Sequence, residues 1–166
     1  MLFHPKRQFK ISSFMIRKGS QLARSEGIKF VSAEKVRPYI LVIAGRTSAG
    51  KSHLLHALAS FAKRNYFIES VACLSSVQFA DEIRQGLHFG DLPNVLQRFA
   101  DDSLLALDDI DRLLGQAELA DALLHVLQMR QAMGKRSLLS ITLSHEPLSD
   151  HPISDFLVQQ PAVSIL

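Results

Sequence analysis

Short, mainly apolar runs recur along the chain at Tyr39–Ala44, Ile68–Leu74, Leu104–Leu107 and Leu138–Leu143, with a last candidate at Val163–Leu166. Runs of this length, with turn formers at their ends, predict strands buried on both faces. Between them the apolar residues shift to helical spacing. A helix opens at His53-Leu54-Leu55-His56-Ala57-Leu58-Ala59 and extends to about Lys63-Arg64, whose charges suit a helix C-terminus. Ser75-Ser76 offers an N-cap, and Val77, Phe79, Ala80, Ile83 and Leu87 repeat behind it before Gly86 and Gly90 loosen the stretch. Leu92–Phe99 predicts a short helix. Gln116–Met133 predicts a longer one, with Leu119, Leu123, Val126 and Leu127 on its core side and Gly134 as its stop.

Upstream of the first strand the pattern is weaker. Pro5 and the Ser12-Ser13 pair argue against a helix in residues 1–13, and a helix from Ser20 to about Glu34 is weakened by Gly27. Pro38 marks the start of the first strand. Strands alternating with helices predict an α/β fold with a parallel sheet covered on both faces. With 166 residues and no repeat or linker, the expectation is one domain: an entry segment at 1–38 packing on a core at 39–166.

The junction of the first strand and the next helix carries the chemistry. Gly45-Arg46-Thr47-Ser48-Ala49-Gly50-Lys51-Ser52 fits G-x-x-x-x-G-K-[ST], the phosphate-binding P-loop, in its required strand–loop–helix context. A triphosphate needs several donors converging without bulky side chains between them. Gly45 and Gly50 let the backbone turn and approach closely. The main-chain N–H groups from Gly45 through Thr47, Ser48, Ala49, Gly50, Lys51, Ser52 and His53, with the helix dipole behind them, form the anion site. Lys51 reaches the outer phosphates as a point charge, and the Ser52 hydroxyl sits on Mg²⁺. ATP and Mg²⁺ are therefore the expected ligands.

A second strand ends in two carboxylates, Leu104-Leu105-Ala106-Leu107-Asp108-Asp109. Adjacent acids repel, and a bound divalent cation reverses that cost. Asp108 is assigned to Mg²⁺ through water, and Asp109 to polarising the attacking water. Asp111 reads as a surface or helix-start residue. At the end of a later strand, in Ser140-Ile141-Thr142-Leu143-Ser144, Ser144 is the candidate for the γ-phosphate or the water, with Thr142 as runner-up. His53 and His56 lie three apart with no third metal ligand in sight, and read as packing residues.

Composition narrows the setting. The lone Cys73, inside Val71-Ala72-Cys73-Leu74, excludes an internal disulfide and reads as a buried core residue of a reducing compartment. No run reaches the ~20 apolar residues of a membrane helix, and Met1–Arg7 lacks the apolar stretch of a secretory signal. A cytoplasmic protein is expected. The net charge of +3 is uneven: residues 1–38 hold nine Lys/Arg against two Glu, and the remainder ten against fourteen Asp/Glu. Such a front suits nucleic acid or an acidic partner, yet the basic residues show no aromatic interleaving of the kind a single-strand platform uses.

The same stretches resemble a known family. GRTSAGKSHLL from Gly45, LSSVQFADEIRQGL at 74–87, LLALDDID at 104–111, LLHVLQMRQAMGKR at 123–136 and SITLSHEP at 140–147 are similar to the ATPase domain of DnaA-type bacterial replication initiators, which are AAA+ proteins. They align with its Walker A, the following strand–helix segment, Walker B, the helix before sensor 1, and sensor 1. FMIRKGSQLA at 14–23 loosely resembles the adenine-side entry segment. The resemblance implies a three-layer αβα P-loop core with a five-stranded parallel sheet. Ser48 stands where the family usually has a glycine, and Arg17 where the entry segment does. Residues 152–166 contain no arginine, so no arginine finger is expected there, and no helical lid or DNA-binding module is expected after it.

These features imply an ATP-binding module that acts in replication initiation or its regulation through protein contacts, with weak or partner-dependent hydrolysis. Its partner would be a replication protein: an initiator, a clamp or a helicase. Direct DNA contact would not be sequence-specific, because no base-reading module is visible. Three alternatives stay open on the motifs alone: a helicase-loader-like ATPase, a small P-loop kinase, and an inactive remnant of an initiator.

Overall fold

The computed structural model describes residues 3–14, 19–35, 37–64, 68–143 and 150–165. Strands β1 (Ile40–Gly45), β2 (Val71–Ser75), β3 (Leu104–Asp108), β4 (Arg136–Thr142) and β5 (Ala162–Ile165) form one sheet. Its order is β2-β3-β4-β1-β5, and every pairing is parallel. The helices are α1 (Ser20–Ser32), α2 (Lys51–Ala62), α3 (Ser76–Phe89), α4 (Leu92–Asp101), α5 (Asp111–Leu114), α6 (Ala117–Ala132) and α7 (Pro152–Val158).

Strand alternation sorts the core into two layers. Ile40, Val42, Ala44, Leu105, Leu107, Leu139 and Ile141 point to one face and pack against α3, α4, α6 and α7. Leu41, Ile43, Leu104, Ala106 and Leu138 point to the other and pack against α1 and α2. This is the three-layer arrangement expected for the family fold. Central strands buried on both faces leave no polar side to alternate with, which is why they read as continuous apolar runs.

The boundaries moved by a few residues. β2 starts at Val71 rather than Ile68, and β4 begins at Arg136. α3 runs through Gly86 and ends only at Gly90, whose φ of 70° lies in the left-handed region. It is held at its start by a reciprocal bond between Ser75 and Gln78. The sequence pattern missed α7, a two-turn helix that opens with Pro at its first position and with His151 Nδ1 accepting the Ile153 N–H. Gly27 does not break α1. A Cβ there would lie 2.4 Å from Leu58 Cδ1, so its smallness sets the close approach of α1 to α2.

The segment before α1 is fastened to the core. The Phe3 carbonyl accepts the Cys73 N–H at 3.2 Å, covering part of the exposed edge of β2. His56 Nδ1 accepts the Lys6 N–H at 3.3 Å, and Phe14 is buried with the α1/α2 layer. Among the described residues, no helix is long and apolar enough to cross a membrane.

Candidate functional site

β1 ends at Gly45, and its loop closes through the Ala49 N–H donating to the Arg46 carbonyl at 3.2 Å. Two loop residues are left-handed, Ser48 at φ 60° and Gly50 at φ 98°. Glycine takes this conformation freely, whereas Ser48 bears a conformational cost there. Gly50 is also the N-cap of α2 and gives it no side-chain cap. The first N–H groups of α2 therefore stand without a side-chain acceptor, aimed along the positive end of the helix dipole. Gly45 carries a sheet-packing constraint as well. A Cβ there would lie 2.7 Å from the Ile165 carbonyl of β5, so this glycine serves sheet packing.

The loop opens into a cavity of about 460 Å³ lined by Thr47, Ser48, Gly50, Lys51 and Ser52 on one side. Asp109, Asp111, Arg112 and Thr142 line the other. β4 lies beside β1 and β3 beside β4, so the C-terminal ends of the three strands bring these residues to one edge of the sheet, the usual place for ligands in open parallel sheets. The Lys51 side chain lies within the loop, its Nζ donating to the Arg46 carbonyl at 3.0 Å.

The two aspartates are placed differently. Asp108 is buried beneath the cavity and accepts a hydrogen bond from Ser140 Oγ. Asp109 faces the cavity with φ 56°, and its N–H donates to the same Ser140 Oγ at 2.8 Å. Burial raises the Asp109 carboxyl above the ordinary aspartate range. The charges of Asp108 and Asp111 add to the rise, while Lys51 and Arg112 oppose it.

Of the residues expected to cradle phosphate, the His53 ring is turned elsewhere. It lies 4.9 Å from the Phe9 ring and 5.4 Å from the Phe14 ring, with Nε2 3.2 Å from the Lys10 carbonyl. Only its main-chain N–H is left for the loop. His56 is likewise a packing residue, 3.0 Å from Cys73 Sγ. Cys73 is buried and its thiol is pushed up to about 12, mainly by desolvation, so it is not a nucleophile at neutral pH. Thr142 lines the cavity, and its N–H donates to Asp111 Oδ1 at 2.9 Å. Ser144 lies outside the described residues, as does Arg17.

Three residues at this site were not singled out for it from sequence. Ser140 carries the Asp108–Asp109 turn, Asp111 anchors the end of β4, and Arg112 places a cation on the rim. The alternation Ser140-Ile141-Thr142 held the signal: a serine inside a strand buried on both faces needs a hydrogen-bond partner there.

A family model described as Bacterial DnaA ATPase domain matches residues 5–155. The chain belongs to this family. The chromosomal replication initiator protein DnaA of Tropheryma whipplei is 23% identical over 141 residues, 85% of this chain and 30% of that relative. Among solved structures, AMPPCP-bound DnaA from Aquifex aeolicus superimposes with a TM-score of 0.81 at 22% identity, over 98% of this chain and 51% of that one. The DnaC helicase loader superimposes with a TM-score of 0.74 at 15% identity, over 96% and 98%. At these identities the two structures establish the fold. The chain spans about 30% of the length of the DnaA relative it matches.

Proposed function

We propose that this chain is a DnaA-like, ATP-binding AAA+ module that acts in chromosomal replication initiation or its regulation through protein contacts. The observation that carries the reading is one cavity holding Lys51, Ser52 and Asp109 against the uncapped N-terminus of α2. Main-chain N–H groups of the loop through Gly50 would hold the phosphate oxygens. The Lys51 ammonium would exchange the Arg46 carbonyl for a phosphate. Residues 1–38 would serve as an entry segment on the core at 39–166.

The residues present fit Mg²⁺. Ser52 and Asp109 offer hard oxygen donors in the same cavity, and Asp108 lies just beneath with one oxygen held by Ser140. Ser52 would hold the ion directly and Asp108 through water. When bound, Mg²⁺ supplies neutralisation of the phosphate charge. Asp109, on the open side, would accept the hydrogen bond that orients an attacking water. Thr142 stands beside it as a second polar contact, and Ser144 keeps the same proposed role. Hydrolysis would be weak or depend on a partner.

Calorimetric titration with Mg·ATP tests the reading. Lys51→Ala removes a charge-assisted contact and should weaken binding by ~10- to 100-fold. Equal affinity for wild type and variant would remove the nucleotide site. Pull-downs of purified replication proteins with and without ATP, using Asp109→Asn to hold any slow turnover, then test the initiator, clamp and helicase in turn.

The DnaC fold match, which spans nearly the whole of that chain, favours a loader-like ATPase as the second reading. ATP-dependent capture of a replicative helicase, without capture of an initiator, would select it.

A further inference from the structure

Two cations line the P-loop cavity, Lys51 on the loop side and Arg112 on the wall that faces it. Lys51 meets the outer phosphates in the function proposed above, whereas Arg112 has no task there. Arg112 is the second residue of α5, in a turn tied to its neighbours by three bonds. The Ile110 N–H donates to the Ser140 carbonyl at 3.0 Å, and the Thr142 N–H to Asp111 Oδ1 at 2.9 Å. The Arg112 N–H itself donates to the Asp109 carbonyl at 3.3 Å. The backbone of Arg112 is therefore fixed at the cavity, while the residue as a whole stays exposed on its rim.

The surroundings of Arg112 are acidic. Asp109 and Asp111 line the same wall, and Asp108 lies buried beneath. Yet among the described residues Arg112 is in no salt bridge. Its charge is felt at Asp109, whose carboxyl it draws back toward the ordinary range. A triphosphate with its inner phosphates on the loop amides would turn its terminal phosphate toward this wall, where carboxylates repel it. Arg112 is the one cation among the residues described on that wall. Its planar guanidinium offers paired N–H groups that match two oxygens of one phosphate, whereas the Lys51 ammonium acts as a point charge.

We infer that Arg112 is a specificity-determining residue of this site: its guanidinium closes from the α5 rim onto the terminal phosphate of a nucleoside triphosphate and so favours it over the diphosphate. This rests on the cavity being a nucleotide site, and adds to it the means of telling the two nucleotides apart. A diphosphate ends short of the α5 wall and leaves Arg112 in solvent. The movement required is a rotation of one exposed side chain, with the backbone held by the bonds above.

Calorimetric titrations with Mg·ADP and with the Mg²⁺ complex of a non-hydrolysable ATP analogue test this. Arg112→Gln should weaken the analogue ~10-fold or more and leave ADP within about twofold, with an unchanged melting temperature. Arg112→Lys keeps the charge beside Asp109 but loses the paired donors, so it should recover only part of the preference. Arg64→Gln removes the same charge beyond the far end of α2 and should bind both nucleotides like wild type. Lys51→Ala should weaken both. The inference is overturned if Arg112→Gln keeps the wild-type ratio of the two affinities, if it weakens both nucleotides equally, or if Arg64→Gln lowers the ratio as far. Full recovery in Arg112→Lys would also overturn it, because net charge would then be the cause. Any of these results leaves the nucleotide site standing as long as Lys51→Ala weakens binding. Equal binding by Lys51→Ala and wild type would remove the site itself, and this inference with it.

Discussion

Ser140 Oγ donates to Asp108 Oδ1 and accepts the Asp109 N–H at 2.8 Å, so one buried hydroxyl on β4 fixes both acids at the end of β3. The Ile110 N–H adds a bond to the Ser140 carbonyl at 3.0 Å. The turn that presents Asp109 to the cavity is thus pinned to the neighbouring strand.

Ser140→Ala leaves a buried carboxylate oxygen and a main-chain N–H without partners. Each orphaned buried group costs about 1–3 kcal/mol. Urea denaturation should show a loss in that range, and Mg·ATP affinity should fall because Asp108 and Asp109 are no longer held. Unchanged stability would mean that water replaces the hydroxyl.

Asp109→Asn should stabilise the nucleotide-free protein. The carboxyl is raised from 3.8 in the folded state, so its contribution to stability is present below that value and lost as pH rises through the raised one. At neutral pH the ionised form is a cost that asparagine removes. Asparagine also accepts the left-handed backbone at φ 56°. The melting temperature should rise by a few degrees at most, and the difference should shrink below about pH 4. The same variant should lose any ATP hydrolysis.

His56 makes the fold acid-sensitive. Burial lowers it below 6.5, Asp108 opposes the shift and Lys6 adds to it. The unfolded chain then binds the proton more readily. Stability is complete above pH 6.5 and declines as pH falls from there toward the lower folded value. Protonating Nδ1 would also end its acceptance of the Lys6 N–H. Urea midpoints measured from pH 8 to 5 should fall in that window, and His56→Gln should flatten the decline.

Arg130 is fully buried on α6, and among the described residues no carboxylate forms an ion pair with it. Its guanidinium donates to the carbonyls of Phe99 at 2.7 Å and Asp102 at 2.8 Å, to Ser137 Oγ at 2.9 Å, and to the Arg136 carbonyl. Burial lowers it to about 10, which leaves it charged at neutral pH. It closes the C-terminal end of α4 onto the start of β4. Arg130→Met should cost about 3–5 kcal/mol, since several buried carbonyls lose their donor together. Arg130→Lys should recover little, because one ammonium cannot span the same acceptors. Thermal melts of both variants check this.

Much of this was legible in the chain. The double burial of β1, β3 and β4 wrote itself as apolar runs, and the P-loop pattern survived because each of its residues is dictated by local backbone and phosphate geometry. Asp108 and Asp109 stood out because two acids after a buried strand have no packing reason. α7 did not, since a two-turn helix gives the apolar period little room to declare itself.

The order of residues alone therefore determined the layered α/β plan, the loop and the acids facing it. Folding decided which distant groups meet. The register that pairs Leu107 with Leu139 sets Asp108 beside Ser140. The close packing of α6 on α4 turns Arg130 from a plausible surface residue into a buried clasp. The bond from the Thr142 N–H to Asp111 sets the start of α5 at the loop, so that Arg112 shares a cavity with Lys51. Local patterns follow from each residue's neighbours in the chain, whereas these three contacts depend on sheet register and helix packing, which no single stretch of sequence carries.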